Sequence, residues 1–151
     1  MANEKKIALR EITEDTVRKI TALEVAENQK GFVALNSISL SQALFSHNAW
    51  YRAIYADDTP VGFVMLHIDT DKAEYFLWRY MIDHRYQGKG YGYKAMELVI
   101  DYVRGLPEAG QLLTSYIPGT GDPSGFYLKL GFVETGEMEE EERVLALELQ
   151  Q

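Results

Sequence analysis

Residues 81–92 constrain this chain more than any other stretch. An apolar strand ending in Ile82-Asp83 passes through Arg85-Tyr86-Gln87-Gly88-Lys89-Gly90-Tyr91-Gly92 into a segment where Met96, Val99, Ile100 and Val103 recur at helical spacing. Gly105 and Pro107 mark the end of that helix. A strand that turns through glycines straight into an amphipathic helix lets the backbone come close to a ligand. It also aims the free N–H groups and the positive end of the helix dipole at that ligand. The turn is therefore expected to cradle an anion, and a pyrophosphate suits it best.

The spacing of the glycines decides which phosphate binder this is. A P-loop requires Gly-Lys-Ser/Thr at the helix entry, whereas Tyr93-Lys94-Ala95 follow Gly92. A dinucleotide fingerprint requires a third glycine where Tyr93 stands. What the residues do spell is Gln87-x-x-Gly90-x-Gly92, with an overlapping frame Arg85-x-x-Gly88-x-Gly90. Further along lies Asp122-Pro123-Ser124-Gly125-Phe126-Tyr127-Leu128-Lys129-Leu130-Gly131-Phe132, in which Pro123 suits a first helical turn and Gly131 a helix end. The first segment resembles the acyl-CoA motif of the GNAT acetyltransferase superfamily, and the second its Tyr-x-x-x-Gly-Phe segment.

The resemblance implies a fold, a cosubstrate and a set of roles. The fold is α/β (α+β), with a mixed, mostly antiparallel twisted sheet of about seven strands and four helices, splayed between strands four and five. The cosubstrate is acetyl-CoA, with its pyrophosphate on Gln87, Gly88, Lys89, Gly90, Tyr91 and Gly92. Lys89, Arg85 and Lys94 supply positive charge there. In this family a bulge in strand four offers backbone N–H groups to the thioester, and carried over it falls on Met81 and Ile82. Such N–H groups stabilise developing negative charge by about 3 kcal/mol in oxyanion holes. Tyr127 takes the place of a general acid that protonates the departing thiolate. Reference pKa values of about 8.5 for a thiol and about 10 for tyrosine bring that transfer near balance.

Periodicity yields the same order of elements. Residues 7–12 read as a strand; Thr13 caps a helix with Glu14 and Asp15 in its first turn and Val17, Ile20 and Leu23 facing inward. A short helix follows over 39–45. Strands over 50–56 and 61–68 flank Asp57-Asp58-Thr59-Pro60 as a hairpin, and a third strand covers 74–82. After the cradle helix come a strand over 112–117, the Tyr127 helix, and strands over 132–135 and 143–149, where Leu145, Leu147 and Leu149 alternate. With no internal repeat or low-complexity linker, residues 1–151 read as one domain.

Composition narrows the chemistry. A chain of 151 residues, 46% of them hydrophobic, is long enough for a real core. There is no cysteine, so disulfides, a Cys₄ zinc site and an acyl-cysteine intermediate are all excluded, and direct attack on the thioester is the economical route. The start of the chain carries no signal-peptide pattern and no run is long enough to span a bilayer, so a cytoplasmic protein is expected. A formal net charge of −8 disfavours nucleic acid and anionic membrane surfaces as partners and suits a small cationic amine. His47, His67 and His84 lack His-x-x-x-His spacing, so no metal is assigned, and Ser124 misses the Gly-x-Ser-x-Gly elbow. The run Glu139-Glu140-Glu141-Glu142 reads as a solvated hairpin turn. A homodimer held by exposed Trp or Tyr is compatible with the residues, without being indicated by them.

Two positions depart from the family's common pattern. The Asn often found before the catalytic Tyr is Thr120, and the strand-five carboxylate that some members use as a base is Ser115. An alkyl ammonium must still lose a proton before it attacks. Glu74, Glu27 or a chain of waters are the candidates, with water ranked first.

Three segments also resemble bacterial spermine/spermidine acetyltransferases: Glu27-Asn28-Gln29 with Phe32-Val33, residues 76–83, and residues 125–137. That points to a polyamine acceptor, for which Glu27, Glu74 and Trp78 are the foremost binding candidates, with Glu24, Glu137 and Tyr75 behind them. Acetylation of a protein N-terminus or of an antibiotic amine remains open within the enzyme class. Outside that class, so does a non-catalytic acyl-CoA sensor.

Overall fold

Strand three explains why the sheet lies in the middle of the molecule: Val61, Phe63, Val64, Met65 and Leu66 are all buried, so both of its faces are covered. The computed structural model describes residues 4–149. In chain order it contains β1 (Ile7–Arg10), α1 (Val17–Thr21), α2 (Asn36–Ala43), β2 (Ala49–Ala56), β3 (Thr59–Asp69) and β4 (Glu74–Ile82). Then follow α3 (Tyr91–Arg104), β5 (Gln111–Tyr116), α4 (Ser124–Lys129), β6 (Val133–Glu139) and β7 (Glu142–Glu148). Short 3₁₀ turns occupy Glu27–Gln29 and His84–Tyr86.

The strands form one seven-stranded sheet in the order β1-β2-β3-β4-β5-β7-β6, antiparallel except between β4 and β5. That parallel pair joins only Phe76 to Leu113 and Leu77 to Thr114; beyond Leu77 the strands part, and the expected splay is present. On one face, Leu77, Val64 and Leu66 pack with the α3 stripe of Met96, Val99 and Val103. On the other, Ile20, Leu23, Phe63, Met65 and Met81 form a second, smaller core beneath α1 and α2.

The bulge in β4 lies earlier than the family resemblance places it. Leu66 pairs with Leu77 and Met65 with Arg79, so Trp78 is the extra residue, whereas Met81 and Ile82 sit in regular register opposite Phe63 and Gly62. The backbones approach closely at Gly62: a Cβ there would clash with the Met81 carbonyl oxygen and lie 2.9 Å from Ile82 Cδ1, an approach only glycine permits. The bulge changes the alternation, so that Trp78 and Met81 pack with the smaller core while Leu77, Tyr80 and Ile82 pack with the larger.

Several boundaries also shift. β1 stops at Arg10, and Thr13 does not cap α1: its N–H donates to Thr16 Oγ1 (2.9 Å), and the helix starts at Val17. The second helix starts at Asn36 and ends at Ala43, with Ser39 buried inside it and Phe45 90% exposed beyond it. Asn36 Nδ2 donates to the Ile20 carbonyl (2.9 Å), so a buried polar anchor positions α2, and hydrophobic periodicity carries no sign of that. Phe132 is core just before β6, which then runs to Glu139. Among the described residues no helix is long and apolar enough to cross a membrane.

Candidate active site

The turn after β4 is built as its glycines require. Gly88 (φ 79°) and Gly90 (φ 83°) are left-handed, and Gly90 caps α3, whose first-turn N–H groups have no partner within the helix. Gly92 has a different role: a Cβ there would lie 3.3 Å from Ile82 Cγ1 and 3.7 Å from Phe126, so its bareness seats α3 against β4 and α4.

Two side chains fix the turn from below. Asp83, 1% exposed, accepts from the Arg85 N–H (2.9 Å), from Arg85 Nε (2.8 Å) and from the Glu24 N–H (2.9 Å). Burial alone would raise its pKa, but these bonds and the Arg85 charge outweigh it and hold the carboxyl below its usual range. Gln87 Nε2 donates to the Ile82 carbonyl (2.8 Å) and to Gln29 Oε1 (2.8 Å), which also accepts from the Ala26 N–H (3.0 Å). The Gln87 amide thereby ties the turn to the end of β4 and to the loop between α1 and α2.

A cleft of about 670 Å³ runs from this turn along the end of β4 to Tyr127. Met81, Ile82, Gln87 and Tyr127 line it, as do Gly88, Gly90, Tyr91 and Gly92. Lys89 is exposed and does not line it, and Arg85 and Lys94 are engaged with Asp83 (2.8 Å) and Glu4 (3.7 Å). Lys129 on α4 does line it, a cation whose place only the fold reveals.

Tyr127 is held on three sides. Its ring meets Phe126 edge-on (centroids 5.5 Å apart) and Phe132 at a tilt (5.4 Å), and Thr114, which donates to the Leu77 carbonyl (3.1 Å), lies beside its hydroxyl. Burial pushes the phenol up to about 12, with the Thr114 hydroxyl pulling weakly the other way. Tyr80 is also raised by burial, but its hydroxyl donates to the Gly92 carbonyl, making it a strut to the head of α3.

A second cleft, of about 530 Å³, shares Phe32, Val33, Tyr80, Pro123 and Tyr127 with the first. Tyr127 thus stands where the two clefts meet. Trp78 lines the second cleft, as do Arg79, Ser115, Glu139 and Glu142. The other acceptor candidates are elsewhere. The Glu27 side chain is 90% exposed and pairs with Lys30 (3.1 Å), and Tyr75 donates to the Pro107 carbonyl from the core. Glu137 is exposed on β6. Glu74 sits at the far end of β4, where it and the β3 residues His67 and Asp69 offer ligand atoms within 4.8 Å of one another. His-x-x-x-His spacing does not describe that trio, because strands gather side chains at alternate positions and across the ladder.

The Tyr127 environment predicts an alkaline weakness. A pKa of about 12, against about 10 for an exposed tyrosine, means the folded chain favours the neutral phenol. That stability is complete below about pH 10 and is lost as pH rises toward about 12, by up to about 3 kcal/mol. Denaturant unfolding at about pH 8 and about pH 11 should therefore show a smaller alkaline loss for Tyr127→Phe than for the parent. Equal losses would mean the buried phenol does not titrate as described.

Known proteins resemble this arrangement along its length. Residues 19–132 match the family model described as Acetyltransferase (GNAT) family. A spermine/spermidine N(1)-acetyltransferase of Bacillus subtilis (strain 168) is 28% identical over 150 residues, covering 95% of this chain and 99% of that protein. Among solved structures, spermidine N-acetyltransferase from Vibrio cholerae in complex with CoA and spermine superposes with a TM-score of 0.73 at 16% identity, over 95% of each chain. The ribosomal-protein-S18-alanine N-acetyltransferase from Escherichia coli does so with a TM-score of 0.65 at 15% identity, over 97% of this chain and 96% of that one.

Proposed function

This chain belongs to the acetyltransferase (GNAT) family, and we propose that it transfers acetyl from acetyl-CoA directly to a primary amine of a polyamine such as spermidine or spermine. The observation that carries the reading is the position of Tyr127, which lines both clefts. Acetyl-CoA supplies a thioester, whose carbonyl carbon accepts the amine and whose sulfur leaves. The turn at 87–92 holds the pyrophosphate, with the left-handed Gly88 and Gly90 leaving the backbone bare toward it. The Ile82 N–H, beyond the last β4–β5 pair and on the side of β4 away from β3, aligns the thioester, with Met81 beside it in the cleft. Tyr127 gives its proton to the departing sulfur; its raised pKa keeps that proton in place at any working pH.

The polyamine reading rests on the relatives and on the second cleft, where the Trp78 face and the Glu139 and Glu142 carboxylates suit a chain of ammonium groups. A specific feature favours a second reading, a peptide or protein N-terminus. Among the described residues, Arg79 lines the same cleft with neutral hydrogen-bond acceptors, the Trp78 carbonyl (3.1 Å) and Gln42 Oε1 (3.0 Å), and its buried Nε has no hydrogen-bond partner. A carboxylate-bearing acceptor would satisfy it. The test is CoA release from acetyl-CoA with spermidine, spermine, putrescine, aminoglycosides and short peptides. Turnover concentrated on the polyamines is the expected result; turnover concentrated on the peptides would overturn it in favour of the second reading.

A further inference from the structure

A direct transfer needs a group that removes a proton from the acceptor's ammonium, and the second cleft contains one carboxylate placed for that task. Glu142 begins β7 opposite Glu139 of β6 and is half-buried. Its Oε1 accepts from Ser115 Oγ on β5 at 2.5 Å, and both residues line the cleft that also reaches Tyr127. The neighbouring strand thus delivers a carboxylate to the position where β5 itself has only a hydroxyl.

The surrounding cations leave this carboxylate outside any ion pair. Lys30, in the same cleft, is engaged by Glu27 (3.1 Å) and Glu24 (3.4 Å). Arg79 on β4 is close enough to feel the Glu142 charge, but its guanidinium donates to the Trp78 carbonyl and Gln42 rather than to that carboxylate. Among the described residues Glu142 therefore forms no ion pair, and its hydrogen-bond partner is a neutral hydroxyl. The other carboxylates do not compete. Glu139 lines the cleft with no hydrogen bond to orient it among the described residues, and Asp122 lines the first cleft and spends both oxygens on Gly119 and Ser124. An oriented carboxylate outside any ion pair, lining the cleft of a cationic acceptor, has the chemistry of a base for an ammonium group.

We propose that Glu142, held by Ser115, is the proton acceptor for the incoming amine, an inference that rests on the direct-transfer reading above. An N–H bond of the ammonium breaks and its proton passes to Glu142. The freed lone pair forms the C–N bond at the acetyl carbonyl carbon, the C–S bond breaks, and the Tyr127 proton goes to sulfur. The nitrogen's second surplus proton restores Tyr127, and the proton on Glu142 leaves to solvent, so one amide, one thiol and one proton result.

The test compares the parent with Glu142→Gln, Ser115→Ala and, as a control in the exposed turn, Glu141→Gln. CoA affinity by calorimetry serves as the check of folding. Glu142→Gln keeps an acceptor for Ser115 but removes the base, and should lower kcat/KM for spermidine about 50-fold, with Ser115→Ala lowering it less. With a fluorinated analogue whose terminal amine is already neutral at assay pH, the Glu142→Gln deficit should shrink to about five-fold, because no proton then needs removing. Glu142→Gln activity within about two-fold of the parent, or an equal deficit on both amines, overturns the proposal. No turnover of any amine by the parent overturns it together with the reading it rests on. Parent activity confined to peptides removes the polyamine reading alone, and the same comparison is then read on basic and weakly basic peptide amines.

Discussion

Tyr127→Phe is expected to lower kcat about 10³-fold while leaving the Kd for CoA within about two-fold, because it deletes the proton-donating hydroxyl and little volume. The ring would keep its contacts with Phe126 and Phe132, so the core around it is preserved. The expulsion of a thiolate without a donor loses what general-acid catalysis supplies, typically 10²–10⁴-fold or about 3–5 kcal/mol. Steady-state kinetics paired with CoA titration separates the two quantities. Undiminished turnover would remove Tyr127 from the chemistry and leave it a buried aromatic of the core.

Gly90→Asp is expected to weaken CoA binding about 100-fold with the fold retained. The residue caps α3 in a left-handed conformation (φ 83°) with open space where a Cβ would be, so the new side chain would enter the mouth of the cradle without a clash. There its carboxylate would oppose a pyrophosphate and the favourable end of the helix dipole. At an effective dielectric of about 20, two unit charges about 4 Å apart repel by about 4 kcal/mol, which solvent at this open turn reduces to about 3 kcal/mol. Aspartate tolerates the left-handed region better than most residues, so little stability should be lost. Gly90→Ala separates strain from charge: it should bind CoA far better than Gly90→Asp. Equal binding by the parent and Gly90→Asp would remove the cradle assignment.

Much of the fold was legible because its signals are local. The α3 stripe, the strand alternation at Leu145, Leu147 and Leu149, and the glycine-to-helix turn each depend on neighbours a few residues away, and all three are present. The failures share a cause in long-range contacts. α2 is positioned by Asn36 reaching the Ile20 carbonyl, and the β4 bulge at Trp78 is a feature of its pairing with β3. Neither constraint has a period or a composition.

The candidate site divides the same way. Gly88 and Gly90 were legible from the glycine spacing, and Tyr127 from the resemblance of its segment to the family's Tyr-x-x-x-Gly-Phe; all three line the first cleft. Glu27 and Glu74 were chosen as carboxylates near the right segments, yet one pairs with Lys30 and the other lies at the far end of the sheet. The acidic run read as a solvated turn instead sends Glu142 across to Ser115 and into the second cleft.

By itself, then, the sequence determined the order of the elements and the glycine turn, because backbone conformation and amphipathic period are decided within a few residues. Which carboxylates and cations share a cleft was decided only by tertiary structure. Side chains 27 residues apart, as Ser115 and Glu142 are, become neighbours through strand pairing and register, and a shift of one residue would turn either to the opposite face of the sheet.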